Sequence, residues 1–476
     1  MPIVDRREFG GRFTVRETSR RLRCYRYTEI QIMEMLGGWC HTTPSLVVRA
    51  AFGSHLWEDA QHSDQVGTRI AQLRSSSDRQ EPPNDKFAHL CEKIWLAPLT
   101  LERLVGVYKV LKPHLVSAYT YHTDTTDPLA DEPTCKLLTQ MAASEQAHVL
   151  WGQAVIESFT TTVEDRSRAV AWQGELEQDL LECGGVTGSG VEAHWLPYAE
   201  PSESFVADKT IDAELRQQRN GDTSKRTRVS KGTYSYSKKS KPVDYPIVEE
   251  PFWYSEDEEV FRSTAPICEL GSREFFAYRL HTLIYGEIDT VDRLGKMLAD
   301  FPDLPWKMRM DIAHQIWDEA RHIQIVVKAT QDQGARLGQF PWSGIIWRLT
   351  QYGEDPLSRI SVNNCWGESL LCGTLNVWIK LALEAKKHKL AELLDFILAD
   401  ELVHVEWATR WIRELTENDL HRRQELADWS RNTAFEIQQF RYRTNRVAAQ
   451  DDPVKIRALT AIPPYNTPDD VPLTFA

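Results

Sequence analysis

Glu319 and His322 sit in the stretch Trp317-Asp318-Glu319-Ala320-Arg321-His322, and Glu401 and His404 in LADELVHVEW, so each pair sets a carboxylate and an imidazole three residues apart. On a helix that spacing brings both side chains to one face, which makes each pair half of a metal site. A lone carboxylate precedes each pair: Glu287 in LIYGEIDTV, 32 residues before Glu319, and Glu368 in CWGESLLCG, 33 before Glu401. That separation accommodates an antiparallel helix pair with its turn, which lays each lone Glu beside its ExxH. The order Glu, ExxH, Glu, ExxH is the constellation with which a four-helix bundle holds two metal ions in its core.

The flanks argue for burial. HTLIYGEI, HQIWDEA and DFILADELVHVEW place aliphatic and aromatic residues beside the carboxylates, where an uncompensated charge is too costly to persist. Metal coordination compensates it. A hard-oxygen and imidazole donor set without thiolate suits iron or manganese better than structural zinc.

The same plan occurs earlier in the chain. RLRCYRYTEIQIMEMLG aligns with RLHTLIYGEIDTVDRLG and pairs Glu29 with Glu287; HLWEDAQHSDQV aligns with QIWDEARHIQIV and pairs Asp59 with Glu319 and His62 with His322. LTLERLVGVYKVL set against CWGESLLCGTLNV pairs Glu102 with Glu368, and SEQAHVLW against DELVHVEW pairs Glu145 with Glu401 and His148 with His404. An internal repeat of this kind governs the fold. Periodicity predicts helices near 20–38, 44–74, 86–119 and 133–161 with a fifth stopping at Gly184 and Gly185, then near 272–299, 305–335, 355–386, 388–415 and 420–445. Pro44 and Pro305 stand where second helices begin, which suits proline in a first turn.

At these positions the sequence resembles the ferritin-like di-iron carboxylate superfamily. The resemblance implies an all-α fold of two tandem ferritin-like four-helix bundles with additional helices: 1–199 as a first bundle, 200–265 as a connecting segment, 266–445 as a second bundle and 446–476 as an extended tail. It implies that Glu319 and Glu401 bridge two metal ions, that Glu287 and Glu368 are terminal ligands, and that His322 and His404 each bind one ion. The second half is expected to carry the working site. In the first half, Glu29, Asp59, His62, Glu102, Glu145 and His148 form a second candidate set, in which Asp59 is one methylene shorter than a bridging Glu. It is either a second metal site or a decayed structural copy. Asp318 and Asp400, each immediately before a bridging Glu, either accept from the ligand imidazoles or are solvated or paired with arginine on a neighbouring helix.

The activity so implied is a non-haem di-iron oxygenase or oxidase, with two Fe ions (Mn as the alternative) and O2 as co-substrate, acting on an amine, amino acid or specialised metabolite. An electron donor and a homodimer are compatible with it. No catalytic residue beyond the ligands is assigned. A ferroxidase or metal-binding protein without an organic substrate is the alternative, and a purely structural scaffold a third reading.

The remaining composition sets bounds. The chain has 476 residues, 42% of them hydrophobic, and a net charge of −13, which disfavours nucleic acid or an anionic membrane as the main partner. No long apolar run or N-terminal apolar core is present, and the eight cysteines form no CxxC pair, so the expectation is a cytoplasmic protein with reduced cysteines. GxSxG, Walker A and strand-linked GxGxxG patterns are missing. The basic stretch 218–241 is expected to be a tether rather than a nucleic-acid arm, and VEEPFWYSEDEEVF to pack the halves together rather than to act as a lid.

Overall fold

A computed structural model describes residues 10–77, 81–190, 252–344 apart from 256, 346–347, 353, 355–447 and 465–475. The basic stretch 218–241 and most of the 200–265 and 446–476 segments therefore lie outside the described residues. The chain is all-helical, with no strand among the described residues beyond a single bridge between Tyr254 and Trp342. Among the described residues no helix is long and apolar enough to cross a membrane.

Two compact units emerge: Met1–Met35 with His55–Gln218, and Leu36–Ser54 with Arg219–Ala476. This differs from a first bundle spanning 1–199, because the hairpin of residues 36–54 packs in the second unit. The reasons are local. A side-chain carbon on Gly295 would collide with the Gly37 backbone, and one on Gly53 would meet Ala320 Cβ at 2.6 Å, so these glycines let helices approach closely. Arg49, fully buried, donates to Asp292 at 2.7 Å and to the Thr43 carbonyl.

In unit 1 the helices are α1 (Val15–Trp39, to residue 35), α2 (Leu46–Gln72, from residue 55), α3 (Asp85–Trp95), α4 (Thr100–Leu104), α5 (Lys112–Thr125), α6 (Glu132–Phe159) and α7 (Val163–Glu182). Asn84 caps α3 by accepting from Phe87 N–H at 3.0 Å, and Thr162 with Asp165 forms a capping box on α7. As expected, α7 ends at Gly184 and Gly185, which adopt φ of +76° and +69°. The single helix expected over 86–119 is broken at residues 96–99, because Pro98 disfavours helical geometry in the residue before it.

Unit 2 contains α8 (Glu258–Thr264), α9 (Arg273–Asp300), α10 (Trp306–Asp332), α11 (Pro356–Val362), α12 (Ser369–Glu384), α13 (His388–Leu415) and α14 (Leu420–Val447). Ser272 caps α9 through Phe275 N–H, and Asp355 caps α11 through Leu357 and Ser358 N–H with Pro356 in the first turn. Pro44 and Pro305 lie just before their helices rather than inside the first turn. α9 packs along α10 and α12 along α13. On α13 the buried stripe runs Leu390, Leu394, Ile397, Glu401, His404, Ala408, Trp411, so the Glu–His pair replaces apolar residues at the middle of a core-facing face.

Among the described residues each unit contains a π turn, Val105–Leu111 between α4 and α5 and Asn363–Glu368 between α11 and α12. Such turns widen a helix locally and often occur at functional sites. Lys112 follows the first turn directly, and Glu368 ends the second.

Candidate metal centres

In unit 2 the structure brings Glu287 from α9, Glu319 and His322 from α10, Glu368 from the π turn, and Glu401 and His404 from α13 into one buried cluster. All six are at most 6% exposed. Ligand atoms of Glu287, Glu319, His322 and Glu401 lie within 4.8 Å of one another, a grouping that could hold a metal ion. His322 Nδ1 is 3.2 Å from Glu319 and 3.4 Å from Glu401; His404 Nδ1 is 2.8 Å from Glu401 and 3.4 Å from Glu319. Both imidazoles thus turn Nδ1 toward the same two carboxylates.

Their outer nitrogens cross over. His322 Nε2 meets Asp400 at 3.0 Å, on the other ExxH helix, and His404 Nε2 meets Asp318 at 3.1 Å. Arg321 ties the two aspartates together, donating to Asp318 at 2.6 Å and Asp400 at 2.8 Å. Each aspartate accepts from an imidazole and also pairs with Arg321, which lies on a neighbouring helix for Asp400 and on the same helix for Asp318. An acceptor on Nε2 fixes the tautomer in which Nδ1, once deprotonated, would offer its lone pair to the cluster.

The electrostatics follow from burial. Glu287 and Glu368 are pushed well above the usual carboxylate range, first by desolvation and then by the charges of Glu319 and Glu401. For Glu319 burial works in the same direction, but the His322 hydrogen bond and both imidazole charges prevail and hold it near 2. His404 is raised to about 10, because Glu401 and Asp318 outweigh its own desolvation. Buried Glu287 Oε1 has no hydrogen-bond partner. Three carboxylates and an imidazole converging within 4.8 Å, with His404 Nδ1 against two of the same carboxylates and an orphaned oxygen among them, fit a divalent cation.

Gln315, Asn364, Trp407 and Arg293 beside the cluster escaped sequence reasoning. Gln315 donates to Glu319 at 2.7 Å and to Glu368 at 3.2 Å, while its carbonyl accepts from Asn364 at 2.6 Å and Trp407 at 3.2 Å. Its position one turn before Glu319 was the available signal. Arg293, buried on α9, is lowered to about 10 by desolvation, against which the Glu368 charge acts.

Unit 1 repeats part of this plan. Glu29 on α1, Asp59 and His62 on α2 and Glu145 on α6 also offer atoms within 4.8 Å of one another, all buried. His148 Nε2 meets Glu58 at 3.2 Å, as His404 meets Asp318. Glu102 does not join them. It sits in the first turn of α4, accepts from Leu99 N–H at 3.3 Å and lies 3.7 Å from Arg168. The place expected for it is taken by Lys112, whose Nζ lies 2.6 Å from Asp59, 2.8 Å from Glu145 and 3.1 Å from His148 Nδ1. The correction is physical: Glu102 lies in the first turn of the short α4 that begins after Pro98, ten residues before Lys112, so an alignment of apolar text set the wrong residue opposite Glu368. Asp59, Glu145 and Glu29 hold the Lys112 ammonium charged against its complete burial.

A family model described as "Protein of unknown function (DUF455)" matches residues 208–449, just over half of the chain and most of unit 2. The protein belongs to that family. No curated protein and no solved structure is significantly similar to it.

Proposed function

We propose that unit 2 is a ferritin-like bundle holding a dinuclear iron centre, and that the protein is an O2-dependent oxidoreductase acting on a small organic molecule. The tandem arrangement of two such bundles belongs to the same reading. The observation that carries it is the crossed pairing: two imidazoles, each held through Nε2 by an aspartate of the opposite helix, present Nδ1 to a shared carboxylate pair. A ligand imidazole needs an outer acceptor that fixes its tautomer and aims its other nitrogen at the ion, and both histidines have one. Glu287, Glu319, His322, Glu368, Glu401 and His404 would hold the ions, which supply multi-electron reduction of O2 when bound. The chain's own contribution is preorganisation. Gln315 fixes the Glu319 and Glu368 carboxylates by hydrogen bonds, Asp318 and Asp400 fix the imidazole tautomers, and the apolar stripes of α10 and α13 keep water from the carboxylates.

The test is metal content per chain after purification with iron supplied, coupled to O2 consumption across a panel of amines and amino acids. Glu319→Ala and His404→Ala are expected to lose the unit 2 metal and all substrate-dependent O2 uptake while keeping helix content. Full activity in either variant refutes the assignment. Rapid O2 uptake driven by Fe(II) alone, unaffected by any organic compound, favours a ferroxidase instead.

A further inference from the structure

We propose that unit 1 binds one divalent transition-metal ion through Glu29, Asp59, His62 and Glu145, and that the Lys112 ammonium occupies the place a second ion would take. This site is separate from the unit 2 centre.

The two sides of the cluster differ in what satisfies them. On one side Lys112 Nζ bonds Asp59 Oδ1, Glu145 Oε2 and His148 Nδ1, so the inward-facing atoms there already have a cationic partner. On the other side Asp59 Oδ2 and Glu29 Oε2 are fully buried with no hydrogen-bond partner, and His62 Nδ1 stands 3.3 Å from both Glu29 Oε1 and Glu145 Oε1. Tyr119 donates to Glu29 Oε1 at 2.5 Å and orients that carboxylate. Orphaned carboxylate oxygens converging with an imidazole in a dry interior are costly without a cation.

Charge fixes the number of ions. In the loaded site Glu29, Asp59 and Glu145, once ionised, would bring three negative charges, which the lysine and one dication would neutralise with both imidazoles uncharged, as a ligand imidazole must be. A second dication would leave a buried excess of positive charge and would have to displace an ammonium held at hydrogen-bond distance on three sides. In unit 2 the corresponding place belongs to Glu368, and four carboxylates balance two dications. A single exchange of carboxylate for ammonium thus converts a two-ion arrangement into a one-ion arrangement.

The test uses the full chain stripped of metal and reloaded with Mn(II), with unit 2 disabled by Glu319→Ala and His404→Ala together. In that background one Mn(II) per chain is expected by elemental analysis, with the hyperfine-split paramagnetic signal of an isolated ion. Adding His62→Ala should remove it. Adding Lys112→Glu should raise the content to two and replace the isolated-ion signal with that of a coupled pair. No Mn(II) in the background chain, or two in the presence of Lys112, overturns the proposal. If the disabled background does not fold, the comparison is made in the otherwise intact chain: His62→Ala alone should lose one ion per chain, and an unchanged content overturns the proposal.

Discussion

Replacing Asp318 by Asn removes one negative charge while keeping the size of a side chain that is almost fully buried. In the intact protein its carboxylate accepts from His404 Nε2 at 3.1 Å and from Arg321 at 2.6 Å. A charge-assisted bond is about twice as strong as a neutral one, and loss of such a partner to a ligand imidazole typically weakens metal binding about 10- to 100-fold. That corresponds to about 1.4–2.8 kcal/mol. Asp400 plays the same part for His322, but its side chain is 27% exposed, and solvent screens it. Asp318→Asn should therefore cost more affinity than Asp400→Asn. The assay is competition for Mn(II) against a chelator of known affinity, with urea unfolding of the metal-free proteins as the control for general damage. A double-mutant cycle locates the effect: in a His404→Ala background, Asp318→Asn should add little further loss. Wild-type affinity in Asp318→Asn, the reverse order of the two aspartates, or a full additive penalty in the cycle refutes the reasoning.

Two further outcomes concern stability. Arg49→Met leaves Asp292 buried without its ion-pair partner and should destabilise unit 2 by about 3–5 kcal/mol, with partial recovery when Asp292→Leu is added; denaturant unfolding reads both. Acid sensitivity should come in part from His281, which is fully buried among Phe252, Tyr285 and Phe340 and is lowered to about 4 by desolvation. Its folded value lies below the unfolded 6.5, so its contribution is complete above about pH 6.5 and is lost as pH falls toward 4, by about 3 kcal/mol in all. Unfolding free energies at pH 7.5 and 5 should therefore differ less in His281→Leu than in wild type, and equal differences would exclude this histidine as a cause.

The ExxH pairs were legible because their spacing matches the helix that carries them: a residue and its third neighbour share a face whatever the tertiary context. Glu287 was legible from its place 32 residues before Glu319, and Glu29 from the Tyr-x-Glu-Ile text the two halves share. Glu102 shows where text fails. Leucines and valines on both sides align equally well in several registers, and the text carries no signal that the core-facing position ten residues on is held by a lysine instead of a carboxylate. The crossing at Gly37 and Gly295 was hidden for a related reason, since a glycine within a helical pattern reports neither its partner nor which unit it joins. The capping residues Ser272 and Asp355, by contrast, act within three residues of themselves, and the starts of α9 and α11 lay close to their expected places.

The assignment of residues 36–54 to unit 2 bears on how the protein is made. Arg49 and Asp292 stand 243 residues apart in sequence, and synthesis proceeds at about 5–20 residues per second. On the ribosome, the early hairpin therefore waits about 10–50 s before α9 emerges. During that interval Gly37, Arg49 and Gly53 have no α9 or α10 to pack against, and the surface later covered by those helices is open to chaperones or to the hairpin of a neighbouring nascent chain. Closing so long a loop is also slow relative to local helix pairing. Unit 2 should thus be the late step in biogenesis, and a gene fragment beginning after residue 54 would encode its helices without the hairpin that completes their core.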